Sequence, residues 1–311
     1  MKLLMDVNVL YMGSSDFSVP ALNALNNAYR VSAVVTQPDK PVGRGKKLDS
    51  PVVKNVADKL GIQVFQPDKL IREDLIDILK KYQVELIVVA AYGKILPGWL
   101  LEYPKYGAIN VHASLLPKYR GASPIQSAIL NGELITGITI MKVDEGLDTG
   151  DILNQKSLVV DQHDTAGTLS EKLANIGAQL LIDTIGDFVA GKLVPKKQNP
   201  EEATKTRLIK KEDGELDLNS PAEQLERKIR AFNPWPICFI KWGSNNLRIF
   251  EAEITNEKLN PFERGVSNKF PMIGTATNAL ILKTVQPAGK NIMDGKSFLN
   301  GTGDWLKTDE V

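Results

Sequence analysis

The sequence predicts an α/β protein: a Rossmann-like, mostly parallel sheet domain, then a basic linker, then a small OB-like β-barrel domain. Three observations predict it. Short apolar runs alternate with helical segments up to about residue 190, a basic stretch with two prolines follows, and the rest carries short strand patterns separated by polar turns. The 311 residues are enough for two domains. We place the first domain at residues 1–191, the linker at 192–211 and the second domain at 212–311.

Five apolar runs in the first part have the length and composition of strands. They are 8–12 (NVLYM), 31–36 (VSAVVT), 86–91 (LIVVAA), 108–112 (AINVH) and 136–143 (TGITIMKV). Helices are predicted to begin near Ser18, Pro51, Arg72, Pro124 and Thr165, the last one ending near Ala190. Nearly continuous apolar strands separated by helices are typical of a parallel sheet covered on both faces. Ligands of such sheets bind beyond the carboxyl ends of the strands, so we expect the chemistry there.

The last hundred residues follow a different pattern. A helix is predicted over residues 221–231 (PAEQLERKIRA), and four short strands follow it, at 238–242, 247–253, 274–276 and 279–284. Asn245-Asn246 and Thr277-Asn278 are expected to form turns between them. Short strands with polar turns predict the antiparallel barrel.

Composition excludes several classes of site. The only cysteine is Cys238 and the only histidines are His112 and His163, so we expect no internal disulfide and no metal site. No apolar run approaches 18 residues, and Asp6 interrupts the start of the chain before a signal peptide could form. We therefore expect a cytoplasmic protein that meets no membrane. Nothing resembles a strong dimer seam, which favours a monomer.

Common catalytic motifs are absent. The turn after the first strand begins Gly13-Ser14-Ser15, which is not the GxGxxG of a dinucleotide fold. The basic run 43–47 (GRGKK) lacks the spacing and the Ser or Thr of a phosphate-binding P-loop, and no GxSxG elbow occurs. A dehydrogenase, a nucleotide hydrolase and a serine hydrolase are all disfavoured.

Positive charge is concentrated in two places although the net charge is only +1. The linker 192–211 (KLVPKKQNPEEATKTRLIKK) has seven basic and two acidic side chains, a net +5, and ends in Lys210 and Lys211. A second cluster lies within residues 36–49 and contains Lys40, Arg44, Lys46 and Lys47. Basic linkers are often merely solvated, but two basic elements in a neutral protein suggest one polyanionic partner that contacts both.

Polar side chains with catalytic potential follow the strand AINVH. Strand alternation places Asn110 and His112 on one face, and the loop that follows the next long strand carries four carboxylates, among them Asp148. An amide that donates to an oxyanion, an imidazole that moves a proton and a carboxylate that polarises it suit acyl transfer. A structural, hydrogen-bonded histidine is the alternative interpretation of the same spacing.

These residues lie in two blocks, 110–126 (NVHASLLPKYRGASPIQ) and 137–153 (GITIMKVDEGLDTGDIL). Together the blocks resemble the 10-formyltetrahydrofolate-dependent formyltransferases, whose motif is Asn-x-His, a Ser-Leu-Leu-Pro turn and a later Asp. Segments 36–48 (TQPDKPVGRGKKL), 229–236 (IRAFNPWP) and 285–290 (VQPAGK) narrow the resemblance to the members that formylate methionine on initiator tRNA. The resemblance runs from the first strand to near Lys290.

The resemblance implies roles for individual residues. Asn110, His112 and Asp148 match the catalytic set. Ser114, Leu115, Leu116 and Pro117 match the turn that lines the folate site, and Ile95 and Leu96 match its pterin wall. Arg44 matches the residue that contacts the acceptor end of the tRNA, with Lys40, Lys46, Lys47, Lys210 and Lys211 as further tRNA contacts. The implied co-substrate is 10-formyltetrahydrofolate, and the implied partner is initiator methionyl-tRNA.

In the resulting mechanism, Asn110 and His112 donate to the formyl oxygen, and Asp148 orients the ring of His112 and raises its pKa towards neutral pH. Three alternatives stay open: a formyltransferase with a small acceptor, a non-catalytic tRNA-binding protein, and a hydrolase that releases formate. Trp235 is interpreted as part of a rigid hydrophobic corner with Phe232, and RNA stacking is its alternative role.

Overall fold

The computed structural model describes residues 7–42 and 47–306 of the chain. Contacts within it group the chain into two compact units. The first comprises Met1–Pro124, Ile135–Val159 and Ser170–Thr206, and the second comprises Ile125–Leu134, Val160–Leu169 and Arg207–Val311. None of the helices in the described residues is long and apolar enough to cross a membrane.

The elements up to residue 190 alternate strands with helices. In chain order they are β1 (Asn8–Gly13), α1 (Val19–Ala28), β2 (Arg30–Val35), β3 (Lys40–Val42), β4 (Lys47–Asp49), α2 (Val52–Lys59), β5 (Val64–Phe65), α3 (Arg72–Lys81), β6 (Leu86–Ala90), α4 (Gly98–Glu102), β7 (Ala108–His112), β8 (Arg120–Gly121), α5 (Pro124–Leu130), β9 (Ile135–Lys142), β10 (Ile152–Val159) and α6 (Ala166–Val189). All five apolar runs predicted as strands are strands. The helices begin within a few residues of their predicted starts.

Seven of these strands form one sheet in the order β10-β9-β7-β6-β1-β2-β5. From β7 to β5 all neighbours are parallel. The side chains of β6 are buried along its whole length, and those of β1 are buried from its second residue onwards. Burial on both faces explains the continuous apolar runs. The mostly parallel, Rossmann-like sheet is confirmed.

The other edge of the sheet is antiparallel. Strand β9 runs opposite to β7, and β10 runs opposite to β9. The sequence does not predict β10, because most side chains after its second residue are exposed or half-buried and no apolar run marks it. Because β9 runs opposite to β7, the loop at 143–151 begins next to Ile109, at the amino end of β7. It does not begin next to His112, at the carboxyl end.

Helix α6 covers one face of β7 at close range. A Cβ atom at Gly177 of this helix would lie 2.9 Å from Cγ1 of Val111, so only glycine allows the helix to approach the strand this closely. Because side chains alternate along a strand, Asn110 and His112 project from the opposite face of β7. The catalytic candidates therefore face away from this helix.

The second unit contains an antiparallel sheet. Its later elements are α7 (Ala222–Ala231), β12 (Cys238–Trp242), β13 (Asn245–Thr255), β14 (Arg264–Ser267), β15 (Phe270–Gly274), β16 (Ala279–Gln286), β17 (Met293–Asp294) and α8 (Gly295–Gly301). The strand order is β12-β13-β16-β15-β14, and β17 pairs with β16. This architecture confirms the predicted fold class for the C-terminal part.

The second unit also contains β14, β17 and α8, which the sequence did not predict. Two predicted details lie elsewhere in the chain. The strand expected at 274–276 lies earlier, because residues 275–278 form the bend that leads into β16. Asn245 and Asn246 belong to β13, and Gly243 and Ser244 make the turn. Gly243 has a φ of 56°, a conformation that glycine adopts without strain.

Most of the predicted linker packs against the first unit. Lys196 forms an antiparallel bridge with Ile152, and β11 (Lys205–Thr206) pairs in parallel with β8. The contact-based division between units falls after Thr206. The domain boundaries at 191 and 212 stay a prediction.

Candidate active site

Strand β7 positions two of the three catalytic candidates. It is a central strand of the sheet, between β6 and β9, and its apolar residues Ile109 and Val111 are buried. Asn110 and His112 alternate with them on the other face, separated by about 6.6 Å along the strand. The sequence places these two polar groups on one face because the strand has a period of two.

His112 is held through both ring nitrogens. Its Nε2 lies 3.0 Å from the carbonyl oxygen of Tyr119, and its Nδ1 lies 3.6 Å from Oδ2 of Asp148. Only 5% of the His112 side chain and 17% of the Asp148 side chain are exposed. The carbonyl and the carboxylate can both only accept, and the neutral ring has one N–H; the 3.0 Å contact is a hydrogen bond and the 3.6 Å contact is too long for one, which favours the proton on Nε2. The unprotonated Nδ1 then faces the carboxylate and can receive a proton.

The loop at 143–151 brings Asp148 back to this edge of β7. Asp148 has a φ of 53°, in the left-handed region that aspartate adopts more readily than most residues. Its Oδ2 accepts a hydrogen bond from the backbone N–H of Gly121 at 2.8 Å. The carboxylate is therefore fixed between the N–H of Gly121 and the ring of His112.

The pKa of His112 is lowered from its ordinary value of 6.5. Burial is the largest cause, and it outweighs both Asp148 and the Tyr119 carbonyl, which raise the pKa. The expectation that the carboxylate would raise the pKa of His112 overall is wrong, because the sequence showed the charge but not the depth of burial. At neutral pH the ring is neutral and acts as a proton acceptor.

Asn110 offers a free hydrogen-bond donor. Its side chain is half-buried, and within residues 7–42 and 47–306 its amide makes no hydrogen bond. The ring N–H of His112, in contrast, is already donated to Tyr119. Asn110 is therefore the residue with a donor available for an oxyanion, and the catalytic roles of Asn110, His112 and Asp148 stay predictions.

The predicted folate turn follows β7 directly, and its own hydrogen bonds hold it. The Ser114 hydroxyl donates to the Lys118 carbonyl oxygen, 2.6 Å away, and the Leu116 N–H donates to Oγ1 of Thr139 at 3.0 Å. Ser114 and Leu116 are buried, whereas Leu115 and Pro117 are partly exposed. Ser114 and Leu116 therefore shape the turn, and Leu115 and Pro117 can contact a ligand.

Ile95 and Leu96 lie in the loop after β6, the parallel neighbour of β7. Leu96 is buried in the core, but 83% of the Ile95 side chain is exposed. An exposed branched apolar side chain beyond the carboxyl end of a central strand offers a surface that a planar ring can cover. Only Ile95 is exposed enough to contact such a ring, and the pterin wall of Ile95 and Leu96 stays a prediction.

The predicted tRNA contacts are only partly described. Arg44 and Lys46 lie outside the described residues, as does the side chain of Lys47. Lys40 is exposed and donates to Oε1 of Gln37 at 2.7 Å. Lys210 and Lys211 are exposed in the second unit.

Trp235 is less buried than the hydrophobic-corner interpretation requires. Its side chain is 53% exposed, whereas Phe232 is buried. The exposed side chain of Trp235 is compatible with its alternative role, stacking on RNA.

Sequence reasoning missed two residues that hold the catalytic pair. Tyr119 contributes its backbone carbonyl and Gly121 its backbone N–H. Because these are backbone groups, the pattern of side chains in the sequence does not indicate their role. Gly121 alone carried a signal. It has a φ of 112°, and a Cβ atom there would lie 2.6 Å from the Thr206 carbonyl oxygen.

In the part of the chain that the structure describes, no group of three or more His, Cys, Asp or Glu side chains is arranged to hold a metal ion. Cys238 is buried, which raises the pKa of its thiol to about 12.

Comparison with known proteins agrees with this geometry. A protein of Listeria monocytogenes serotype 4a named methionyl-tRNA formyltransferase is 44% identical over 298 residues, which cover 95% of this chain and 96% of that protein. A protein of Thermodesulfovibrio yellowstonii with the same name is 43% identical over 298 residues, 96% of each chain.

Solved structures show the same fold. A methionyl-tRNA formyltransferase from Clostridium thermocellum, 22% identical, covers 93% of this chain and all of its own length with a TM-score of 0.58. An N-formyltransferase from Helicobacter canadensis, in complex with folinic acid and dTDP-3-aminofucose, is 21% identical, covers 91% of this chain and 100% of its own, and has a TM-score of 0.66. Residues 5–185 match the family model "Formyl transferase", and residues 208–303 match "Formyl transferase, C-terminal domain". The chain therefore belongs to the formyl transferase family.

Proposed function

We propose that this protein transfers the formyl group of 10-formyltetrahydrofolate to the α-amino group of methionyl-tRNA. The single observation that carries the chemistry is the contact between buried His112 and partly buried Asp148, 3.6 Å apart, beside the free amide of Asn110 on the strand that His112 ends. The acceptor is supported by relatives 43–44% identical over nearly the whole chain and named for that reaction.

The reaction needs a donor site, a means of stabilising charge and a route for one proton. The folate supplies the formyl carbon, bonded to nitrogen. The carbon–nitrogen bond to the α-amine forms, the bond to the carrier nitrogen breaks, and one proton passes from the amine to that nitrogen. The α-amine has a pKa of about 7.7–8.0, so a usable neutral fraction exists near pH 7. The residues therefore contribute mainly orientation, oxyanion stabilisation and proton transfer.

Each catalytic candidate has one task in this scheme. Asn110 donates its amide N–H to the negative charge that develops on the formyl oxygen, an interaction worth about 3–4 kcal/mol in comparable sites. His112 accepts the amine proton at Nδ1, which burial keeps unprotonated at neutral pH. Asp148 stabilises the charged ring that results, because its carboxylate oxygen faces that same nitrogen.

The nucleic-acid side of the proposal depends on the basic segments. Lys40, Arg44, Lys46 and Lys47 in the first unit, and Lys210 and Lys211 in the second, are proposed to neutralise phosphates of the tRNA. Arg44 is proposed to contact the acceptor end. Residues 1–191, 192–211 and 212–311 are proposed as the catalytic domain, the linker and the tRNA-binding domain. We further propose that the protein acts as a monomer in the cytoplasm.

A formyl-transfer assay tests the function against its rivals. Purified protein receives 10-formyltetrahydrofolate and one of three acceptors: methionyl-tRNA, a dTDP-linked amino sugar, or water alone. We expect acid-precipitable N-formylmethionyl-tRNA from the first and no product from the second. Formylation of the sugar would favour a small-acceptor enzyme, release of formate without an acceptor would indicate a hydrolase, and tRNA binding without turnover would indicate a binding protein.

A further inference from the structure

A segment of the basic linker takes part in building the active site. Residues 196–206, here called the strap, are anchored to the first unit at both ends. Lys196 and Ile152 exchange two backbone hydrogen bonds of 2.8 Å each, directly after the loop that carries Asp148. At the other end, the N–H of Arg120 donates to the Thr204 carbonyl oxygen at 2.9 Å, and β11 pairs with β8. The strap therefore connects the loop at 143–151, which carries Asp148, with the segment that contains Arg120 and Gly121.

Gln198 connects these two loops through its side-chain amide. Its Nε2 donates to the carbonyl oxygens of Asp148 and Gly150, at 2.9 and 2.7 Å. Its Oε1 accepts from Nε and NH2 of Arg120, at 3.0 and 2.8 Å. Four hydrogen bonds on one half-buried amide use both of its N–H donors and both acceptor positions of its oxygen. Few other side chains could supply donors and acceptors in this arrangement.

The strap also holds the partner of the histidine ring. Thr204 Oγ1 accepts from the backbone N–H of Tyr119 at 2.8 Å, and the carbonyl of that same residue accepts from His112. Thr206 lies so close to Gly121 that no side chain fits between them, and Gly121 donates its N–H to Asp148. The strap thus bonds Tyr119 and lies against Gly121, the two residues whose backbone groups orient the catalytic pair.

We propose that the strap is a positioning element for catalysis and that Gln198 is its principal positioning residue, holding the Asp148 loop against the Arg120 loop. This inference rests on the proposed roles of His112 and Asp148. A displacement of about 1 Å at a reacting group can cost as much as 100-fold in rate, so the bonds that fix Asp148 are expected to matter although none touches substrate. The linker then has a role besides any contact with RNA.

Two variants distinguish the hydrogen bonds that Gln198 donates from those that it accepts. Gln198→Glu keeps an acceptor for the buried Arg120 but loses both donors to the 148 and 150 carbonyls. Gln198→Met loses all four bonds and, since it leaves the guanidinium without its acceptor, is the variant more prone to misfold. Gln179→Met is the matched control, because Gln179 is on α6 and its side chain, among the residues that the structure describes, bonds to Asp183 alone.

We expect Gln198→Glu to lower kcat about 10- to 100-fold with KM for tRNA and for folate within twofold of the unaltered protein. In an Asp148→Ala background the same change should lower kcat less than twofold, because the side chain it positions is gone. A crystal structure of Gln198→Glu should show the Nδ1–Oδ2 distance increased beyond 3.6 Å. Gln179→Met should match the unaltered protein.

Several results would contradict the proposal that the strap positions the catalytic residues. An unchanged kcat in Gln198→Glu would do so, as would a rise in KM for tRNA alone, which would make the segment only an RNA contact. A full additional loss in the Asp148→Ala background would indicate a general structural role. Failure of the unaltered protein to formylate tRNA would instead reject the proposed function, and the crystallographic distance would still test the strap.

Discussion

Nδ1 of His112 lies 3.6 Å from Oδ2 of Asp148, although His112 ends β7 and Asp148 lies in the loop that follows β9, the antiparallel neighbour of β7. The rule that chemistry gathers at the carboxyl ends of parallel strands explains the position of His112. It does not explain Asp148, whose loop leaves β9 at the amino end of β7. The loop at 143–151 returns along the sheet, and bonds from Gly121 and Gln198 fix its position. This pairing underlies the predictions below.

Replacing the catalytic histidine should abolish most turnover. We expect His112→Ala to lower kcat about 100- to 10,000-fold, with KM for tRNA little changed, because the variant loses its proton acceptor but keeps its RNA-binding surfaces. Steady-state formylation of methionyl-tRNA measures both constants. His163→Ala is the control, since His163 is exposed and the chain has only these two histidines. Near-normal turnover of His112→Ala would exclude the mechanism.

Removing the free amide should affect the chemical step alone. Asn110→Ala is expected to lower kcat about 100- to 1,000-fold, the loss typical of one oxyanion donor. Single-turnover kinetics with saturating folate and tRNA isolate this step from product release. Asn27→Ala, an exposed change at the end of α1, should leave the rate unchanged. A loss of affinity for folate without a loss of rate would assign Asn110 to binding instead.

The pH dependence should reflect the lowered pKa of His112. Because the neutral ring is the active form, the step in kcat that His112 causes should have its midpoint below pH 6.5, and a further rise above neutrality should follow the α-amine of the substrate. Asp148 raises this pKa, so Asp148→Asn should move the His112 titration to still lower pH. Proton NMR of the two imidazoles, assigned with His163→Gln, follows the titration directly. A midpoint above 6.5 would contradict the burial argument.

The same group links stability to pH. In the unfolded chain the histidine titrates near 6.5, above its folded value, so on acidification the unfolded state binds the proton first. The stability contributed by the neutral ring is complete above about pH 6.5 and decreases as pH falls from there towards the folded pKa. Urea unfolding at pH 5.5 and 7.5 should show a smaller pH difference for His112→Gln. An equal difference in both proteins would contradict the linkage.

Arg44 should affect recognition rather than chemistry. Arg44→Ala is expected to lower kcat/KM for initiator tRNA, to weaken discrimination against other tRNAs and to reduce the salt dependence of binding. Kinetics with initiator and elongator methionyl-tRNA at several salt concentrations test this. Lys59→Ala, an exposed change on α2, is the control for lost charge. If Arg44→Ala discriminates between tRNAs as well as the unaltered protein does, the segment around Arg44 is a solvated surface with no role in recognition.

The sequence by itself determined the alternation of buried strands and helices, and the shared face of Asn110 and His112. Both follow from short periodicities that a chain carries locally. It also marked the basic segments by their charge and Asp148 through the family motif. Strand β10 was not visible, because an edge strand exposes many of its side chains and has no apolar run.

Only the tertiary structure decided how the site is held and charged. The N–H of Gly121 and the amide of Gln198 reach Asp148 across 27 and 50 residues, and no local pattern encodes such contacts. The Tyr119 carbonyl is only seven residues from His112, but a backbone group leaves no side-chain pattern to find. The direction of the His112 pKa shift was also decided there. A neighbouring carboxylate can be seen in the sequence, but the burial that outweighs it results from packing by residues distant along the chain.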